Sequence, residues 1–216
     1  MGNWVPGDPT LVSQVLKISA AYTPPPPEGF VSPMTWGVEG NVHERFGADG
    51  VPKENIDCVK STSTFDFAGT RALITGGTSG IGHATAVLFR DAGADVTVTG
   101  TRAAAGEYDT DLSGMTYAQL VLTDPASIDE IRECFDVLDV LINNAGANFP
   151  GGLDESAPDG FDASVALNLN GTYRLTVALR RALKASTATG GAAVVNLSSM
   201  SALRAVTLVP GYSAAK

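Results

Sequence analysis

The sequence predicts an α/β fold, a doubly wound parallel sheet with helices on both faces, preceded by an irregular N-terminal extension. Three observations carry this. Short, almost wholly apolar runs recur at Arg71-Ala72-Leu73-Ile74, Val137-Leu138-Asp139-Val140-Leu141-Ile142 and Ala192-Ala193-Val194-Val195-Asn196-Leu197, the composition of strands covered on both faces. Segments with apolar residues at helical spacing lie between them. The first run passes through a glycine-rich turn directly into one such helix. Residues 66–216 are assigned to this domain and residues 1–65 to the extension.

The strand at 71–74 leads into Thr75-Gly76-Gly77-Thr78-Ser79-Gly80-Ile81-Gly82, after which Ile81, Ala84, Val87 and Leu88 repeat at helical spacing. The glycines fall as G-x-x-x-G-x-G. Gly76 permits a tight turn out of the strand, while Gly80 and Gly82 remove side chains where backbone approaches a pyrophosphate and where the helix packs on the sheet. The first N–H groups of the helix have no intrahelical acceptor and point at such an anion. Thr75, Gly76, Thr78, Ser79, Gly80, Ile81 and Gly82 are therefore the candidate dinucleotide-binding residues. The next strand, Asp95-Val96-Thr97-Val98-Thr99-Gly100-Thr101-Arg102, follows the helix-ending Ala92-Gly93-Ala94. At the end of this strand a carboxylate suits a free ribose 2′-hydroxyl and an arginine suits a 2′-phosphate. No carboxylate stands there and Arg102 lies just beyond, which favours NADP(H) over NAD(H).

The run 137–142 ends in Asn143-Asn144-Ala145-Gly146, whose amides can tie neighbouring strands together at the cofactor side. Phe161 to Lys184 reads as one long helix with Val165, Leu169, Tyr173, Thr176, Leu179 and Leu183 as its buried stripe. Asn168 falls on its inner face, where a polar side chain must find a partner. The strand at 192–197 ends in Ser198-Ser199, at the carboxyl edge where open α/β sheets bind ligands. The chain closes on Tyr212-Ser213-Ala214-Ala215-Lys216. Four residues apart on a helix, a phenol and an ammonium share one face, and a nearby cation favours phenolate, which makes a tyrosine usable in general acid–base work.

Taken in order, Thr75-Gly76-x-x-x-Gly80-x-Gly82, Asn143-Asn144-Ala145-Gly146, Asn168, Ser199 and Tyr212-x-x-x-Lys216 resemble the short-chain dehydrogenase/reductase family, over residues from about Phe67 to Lys216. The resemblance implies a Rossmann-like fold and an NAD(P)(H)-dependent oxidoreductase that moves a hydride between nicotinamide and a secondary alcohol or ketone. It implies that Tyr212 exchanges the proton with the substrate oxygen and that Ser199 hydrogen-bonds that oxygen. Lys216 would bind the nicotinamide ribose and favour the phenolate, and Asn168 would hold a water that passes protons on from Lys216. Asn144, Ala145 and Gly146 join the cofactor-binding set, as do Tyr212 and Lys216. No metal is implied. One departure is Val121, which stands where many members carry an adenine-binding aspartate; its loss removes about 0.5–1.5 kcal/mol of hydrogen bonding.

The family's sheet continues past this helix with two further strands and another helix, and the chain ends at Lys216. The resemblance thus implies a C-terminally truncated member, incomplete on the nicotinamide side, where substrate specificity resides. Relatives commonly pair through the long helix and the Tyr-x-x-x-Lys helix, so a homo-oligomer is expected only of a completed chain. Two functions stand side by side: an oxidoreductase acting on a small alcohol or carbonyl compound, or a catalytically silent fragment with at most weak nucleotide binding.

Residues 1–65 read differently. Leu11, Val15, Leu16 and Ile18 suit a short amphipathic helix, and Pro24-Pro25-Pro26-Pro27 is a stiff extended spacer. Asn3-Trp4-Val5-Pro6, the proline run with Ser32-Pro33, Trp36-Gly37 and Glu44-Arg45-Phe46-Gly47 resemble the late part of class I S-adenosylmethionine-dependent methyltransferases. The strands that would bind S-adenosylmethionine are absent, so no methyl transfer is implied. A fusion junction and a disordered extension remain the two readings. A net charge of −9 argues against nucleic-acid or anionic-membrane partners. Without an apolar span or an N-terminal signal, a cytoplasmic location is expected. Cys58 and Cys134 lack metal-ligand spacing and read as ordinary thiols. His83 is expected on the surface.

Overall fold

Strands β1 (Arg71–Ile74), β2 (Asp95–Gly100), β3 (Thr116–Gln119), β4 (Val140–Asn143) and β5 (Ala193–Asn196) pair in the order β3-β2-β1-β4-β5, all parallel. The structure, a computed structural model, describes residues 65–204 and 206–216; the readings made for the N-terminal extension, including Cys58, lie outside them. Helix α1 (Gly80–Asp91) joins β1 to β2, and α2 (Pro125–Glu133) joins β3 to β4. The connection from β2 to β3 carries one 3₁₀ turn, Ala105–Glu107, where its neighbours carry a helix.

The alternation of a strand splits the core into two layers. On one face Leu73 and Leu141 pack with Ile128 and Ile131 of α2 and with Leu175, Leu179 and Ala182. On the other, Ala72, Ile74, Val96 and Val98 are buried together with Ala86 and Phe89 of α1, and Phe89 stacks on Phe67 with ring centroids 4.5 Å apart. Ahead of β4, Leu138 N–H bonds the Ala182 carbonyl, while Asp139 N–H already reaches the Arg71 carbonyl at the start of β1. β5 forms an edge, and all of its residues are exposed.

The segment predicted as one helix is continuous but not uniform. It comprises α3 (Pro158–Val165), a π-helical turn (Ala166–Gly171), α4 (Thr172–Ala178) and α5 (Arg180–Lys184). This corrects the predicted stripe. Leu169 and Tyr173 are exposed, and the buried line is Ser164, Asn168, Gly171, Leu175, Leu179 and Ala182. The π-turn takes up more residues per turn than an α-helix, so a stripe extrapolated at constant α-helical spacing leaves the buried face there. Gly171 explains why the helix sits so close: a Cβ there would lie 2.6 Å from the Leu122 carbonyl. Two short helices follow β5, α6 (Met200–Leu203) and α7 (Pro210–Ala215). Among the described residues, no helix is long and apolar enough to cross a membrane.

Candidate active site

β1 has β2 on one side and β4 on the other, so the chain reverses direction across the sheet at the carboxyl ends of β1 and β4, the crevice where such sheets take ligands. Thr75 closes this point. Its buried hydroxyl accepts the N–H groups of Asn144 and Ala145, each at 3.0 Å. Asn144 returns the tie, its Nδ2 donating to the carbonyls of Thr75 at 2.9 Å and Gly76 at 3.2 Å. Asn143 reaches the other way and donates to Asn196 Oδ1 at 2.8 Å and Thr176 Oγ1 at 3.0 Å. The expected strand-tying role of these amides is what they do.

The glycine turn is shaped for close backbone approach. A Cβ on Gly82 would collide with the Asn144 amide and the Gly76 carbonyl, so α1 seats directly on the turn. Gly80 has φ +54 and opens onto free space, a conformation that side chains other than glycine resist. Ser79 takes the N-cap position with its hydroxyl unused by the first turn of α1. Thr78 is buried against the end of β2, and Ile81 lends its carbonyl to Thr85 Oγ1 at 2.8 Å. A helix N-terminus fronted by side-chain-free backbone fits a dinucleotide pyrophosphate.

The second half of the site gathers beyond β5. Lys216 Nζ donates to the Leu197 carbonyl at 3.0 Å and lies 5.7 Å from the centroid of the Tyr212 ring. A Cβ on Gly146 would stand 3.0 Å from that ammonium and 2.6 Å from Asn168 Oδ1; only glycine lets the loop after β4 come so near. Burial lowers the Lys216 ammonium below the ordinary lysine range. Ser198 Oγ donates to the Lys216 carbonyl at 2.8 Å, which joins the end of β5 to the end of α7. Ser199 caps α6, its hydroxyl accepting from Ser201 N–H at 3.2 Å and from the Ser201 hydroxyl at 2.9 Å. An Oγ that already accepts twice keeps its own proton to donate.

Asn168 satisfies the demand that its burial creates. Oδ1 accepts from Ala147 N–H at 3.1 Å, and Nδ2 donates to the Ala147 and Ser164 carbonyls, each at 3.0 Å. Its amide therefore pins the loop after β4 onto the π-turn. With Lys216, Thr172, Thr176, Asn196 and Ser198 it also lines a cleft of about 320 Å³.

Arg102 lies exposed beyond β2, its guanidinium 4.8 Å from the centroid of the Tyr108 ring and donating to the Glu107 carbonyl. The Tyr108 hydroxyl accepts from Arg102 N–H at 2.9 Å and leans over Gly100. Val121 lies just past β3, its N–H held by Ser127 Oγ at 2.9 Å. Sequence reasoning missed two residues here. Tyr108 carries no pattern that marks it as covering the end of β2. Glu155 is almost fully buried at 1% exposure, although it sits in a polar stretch that reads as a solvated turn.

The parallel order, its switch between β1 and β4 and the glycine turn at that switch define a Rossmann-like doubly wound domain. Residues 70–216 match the short chain dehydrogenase family, and the chain belongs to it. D-threitol dehydrogenase of Mycolicibacterium smegmatis is 32% identical over 164 residues, which cover 70% of this chain and 62% of that protein. The 3-oxoacyl-[acyl-carrier-protein] reductase FabG of Escherichia coli is 35% identical over 124 residues, 55% of this chain and 51% of that one. A Pseudomonas aeruginosa RhlG/NADP active-site complex superposes with a TM-score of 0.58 at 25% identity, covering 70% of this chain and 62% of that one. The chain thus spans about half to two thirds of the length of the relatives it matches.

Proposed function

We propose that this chain is the cofactor-binding and proton-transferring part of an NADP(H)-dependent oxidoreductase that interconverts a secondary alcohol and a ketone. The observation that carries the reading is the convergence at Lys216: one ammonium reaches the Leu197 carbonyl, the face of Tyr212 and the edge of Gly146. This links the Tyr-x-x-x-Lys helix to the segments that leave β4 and β5, the former of which borders the crevice.

The bound nicotinamide supplies or accepts the hydride; the chain's residues do the rest. The turn from Thr75 to Gly82 would hold the pyrophosphate at the start of α1, and Lys216 together with Asn144, Ala145 and Gly146 would hold the nicotinamide ribose. In the reducing direction Tyr212 gives its phenolic proton to the carbonyl oxygen as negative charge develops there, and Ser199 donates a hydrogen bond to the same oxygen. The Lys216 ammonium stabilises the phenolate left behind. A water in the cleft that Asn168 and Lys216 both line would return the proton. Arg102, in the absence of a carboxylate at the end of β2, favours the 2′-phosphate of NADP(H). The superposing RhlG structure is a complex with NADP, which supports that choice, and the names of the dehydrogenase and reductase relatives support alcohol and carbonyl substrates.

The test is carbonyl-dependent oxidation of NADPH by the purified chain over a panel of ketones, beside the rise in NADPH fluorescence on binding. Tyr212→Phe is expected to lower kcat by about 10²–10⁴-fold, the usual worth of a positioned acid–base group, while NADPH binding persists. Full turnover by the Phe variant overturns the assigned role. Cofactor binding without turnover by the unsubstituted chain leaves it a nucleotide-binding protein only.

A further inference from the structure

Glu155 belongs to no part of the chemistry above, yet it is the most completely buried carboxylate among the described residues, at 1% exposure. Its neighbours Leu153, Asp154 and Ser156 to Asp159 are exposed, so burial is not a property of the segment. The carboxylate is aimed inward and used twice. Oε1 accepts from Phe149 N–H at 2.8 Å, and Oε2 accepts from Tyr212 N–H at 2.6 Å. A buried carboxylate without such donors would be strongly disfavoured, and hydrogen bonds to an ionised acceptor are among the strong ones.

Both donors matter to the site. Phe149 holds φ 48 and ψ 55, the left-handed region that a non-glycine residue adopts at a cost. It presents an exposed ring on the loop that leaves Gly146. Tyr212 is the third residue of α7, so its N–H is one of the first-turn donors that the helix itself leaves unpaired. The platform beneath is tight. A Cβ on Gly160 would collide with the Asp154 carbonyl, and one on Gly211 would stand 2.9 Å from Ser164 Cβ and 3.0 Å from Phe161 Cα. The turn bearing Glu155 and the start of α7 therefore rest on the same helix, α3, and one carboxylate bridges what they carry.

We propose that Glu155 is a positioning residue: its two oxygens lock the Phe149 loop and the Tyr212 helix into a single unit, fixing the depth of the phenol and the presentation of Phe149 to the substrate. The catalytic half of this statement rests on the oxidoreductase reading; the mechanical half does not. Glu155→Gln keeps the shape and one acceptor oxygen but turns an NH₂ group toward one of the two N–H donors.

The experiment is amide hydrogen exchange on the 216-residue chain and its Glu155→Gln and Glu155→Ala variants, read at Phe149 and Tyr212 and, as a reference, over β1. Steady-state kinetics accompany it. Exchange at both amides is expected to accelerate together while β1 stays protected. In the kinetics, kcat falls by about 10–100-fold, the usual cost of a small misplacement of a reacting group, and KM for NADPH rises by less than kcat falls, because the glycine turn is untouched and only the ribose contacts move with the loosened loop and helix. In the Tyr212→Phe background the Glu155→Gln change adds little further loss, since its effect passes through the phenol. Acceleration at only one of the two amides, or lower thermal stability with unchanged kcat per folded molecule, overturns the proposal. If the unsubstituted chain shows no turnover, the oxidoreductase reading fails by itself, and joint or separate acceleration at the two amides still decides whether Glu155 locks them.

Discussion

Thr75 joins two strand ends through one small hydroxyl. Its side chain is 1% exposed, and it takes two backbone N–H groups from the segment after β4. Thr75→Val keeps the shape and removes the acceptor, leaving the half-buried Ala145 N–H without it and the Asn144 N–H with only the Ile142 carbonyl at 3.1 Å. The expected loss is about 1–3 kcal/mol of unfolding free energy by urea titration, the penalty of an unpaired buried group, and Thr75→Ser should recover most of it. Equal stability of the Val variant would show that solvent or backbone movement satisfies those amides. Thr75 is legible in the sequence as a turn residue but not as the acceptor that holds Asn144 and Ala145. Its partners lie 69 and 70 positions away, and spacing along one segment is silent about a partner on another strand. Glu155 is illegible for a different reason: set among exposed residues, it breaks no periodicity, and one of its two donors, Tyr212 N–H, lies 57 positions away.

Among the elements, the start of α1 depends on what Gly82 lacks. With a methyl group there, either the helix lifts off the Gly76 carbonyl or the Asn144 amide gives way. Gly82→Ala is therefore expected to weaken NADPH binding by at least about tenfold, because the pyrophosphate contact proposed for this turn depends on close backbone approach, and to lower the melting temperature. Gly106→Ala serves as the comparison, since a Cβ there meets nothing within 4 Å, and it should stay within about 0.5 kcal/mol of the parent. Undiminished binding in the Gly82 variant would detach the turn from the cofactor. The β1-turn-α1 unit can be read in advance because all its determinants are local: an apolar run, three spaced glycines and a helical repeat. The long helix can be read only in outline. Its length and the inward Asn168 are visible, but the π-turn at Ala166–Gly171 contains Asn168, which grips Ala147, and Gly171, which packs against Leu122. No pattern within the helix reports those contacts.

For the molecule as a whole, the sheet is knitted at its far end by a second buried carboxylate. Asp139 Oδ2 accepts from Arg71 N–H at 2.9 Å and Oδ1 from the Ser186 hydroxyl at 2.6 Å, while its backbone carbonyl takes the Ala193 N–H at 2.8 Å. One residue thereby joins β1, β4, the segment after α5 and the start of β5. Burial alone would raise this carboxyl, but the hydrogen bonds from Ser186 and Arg71 and the Arg71 charge outweigh it and hold it below the ordinary aspartate value. A carboxylate depressed in the folded state contributes stability above its unfolded value of about 3.9, and that contribution disappears as pH falls through the lower folded value. Asp139→Asn should therefore be less stable than the parent at pH 7, by about 1–2 kcal/mol for one impaired acceptor. The gap should narrow steadily below pH ~4 as the parent's carboxylate takes up its proton. Urea midpoints measured from pH 7 down to the acid limit of folding provide the check. A gap that keeps its width across the whole range would mean that Asp139 contributes by shape alone, and that acid unfolding of this strongly anionic chain begins at another carboxylate.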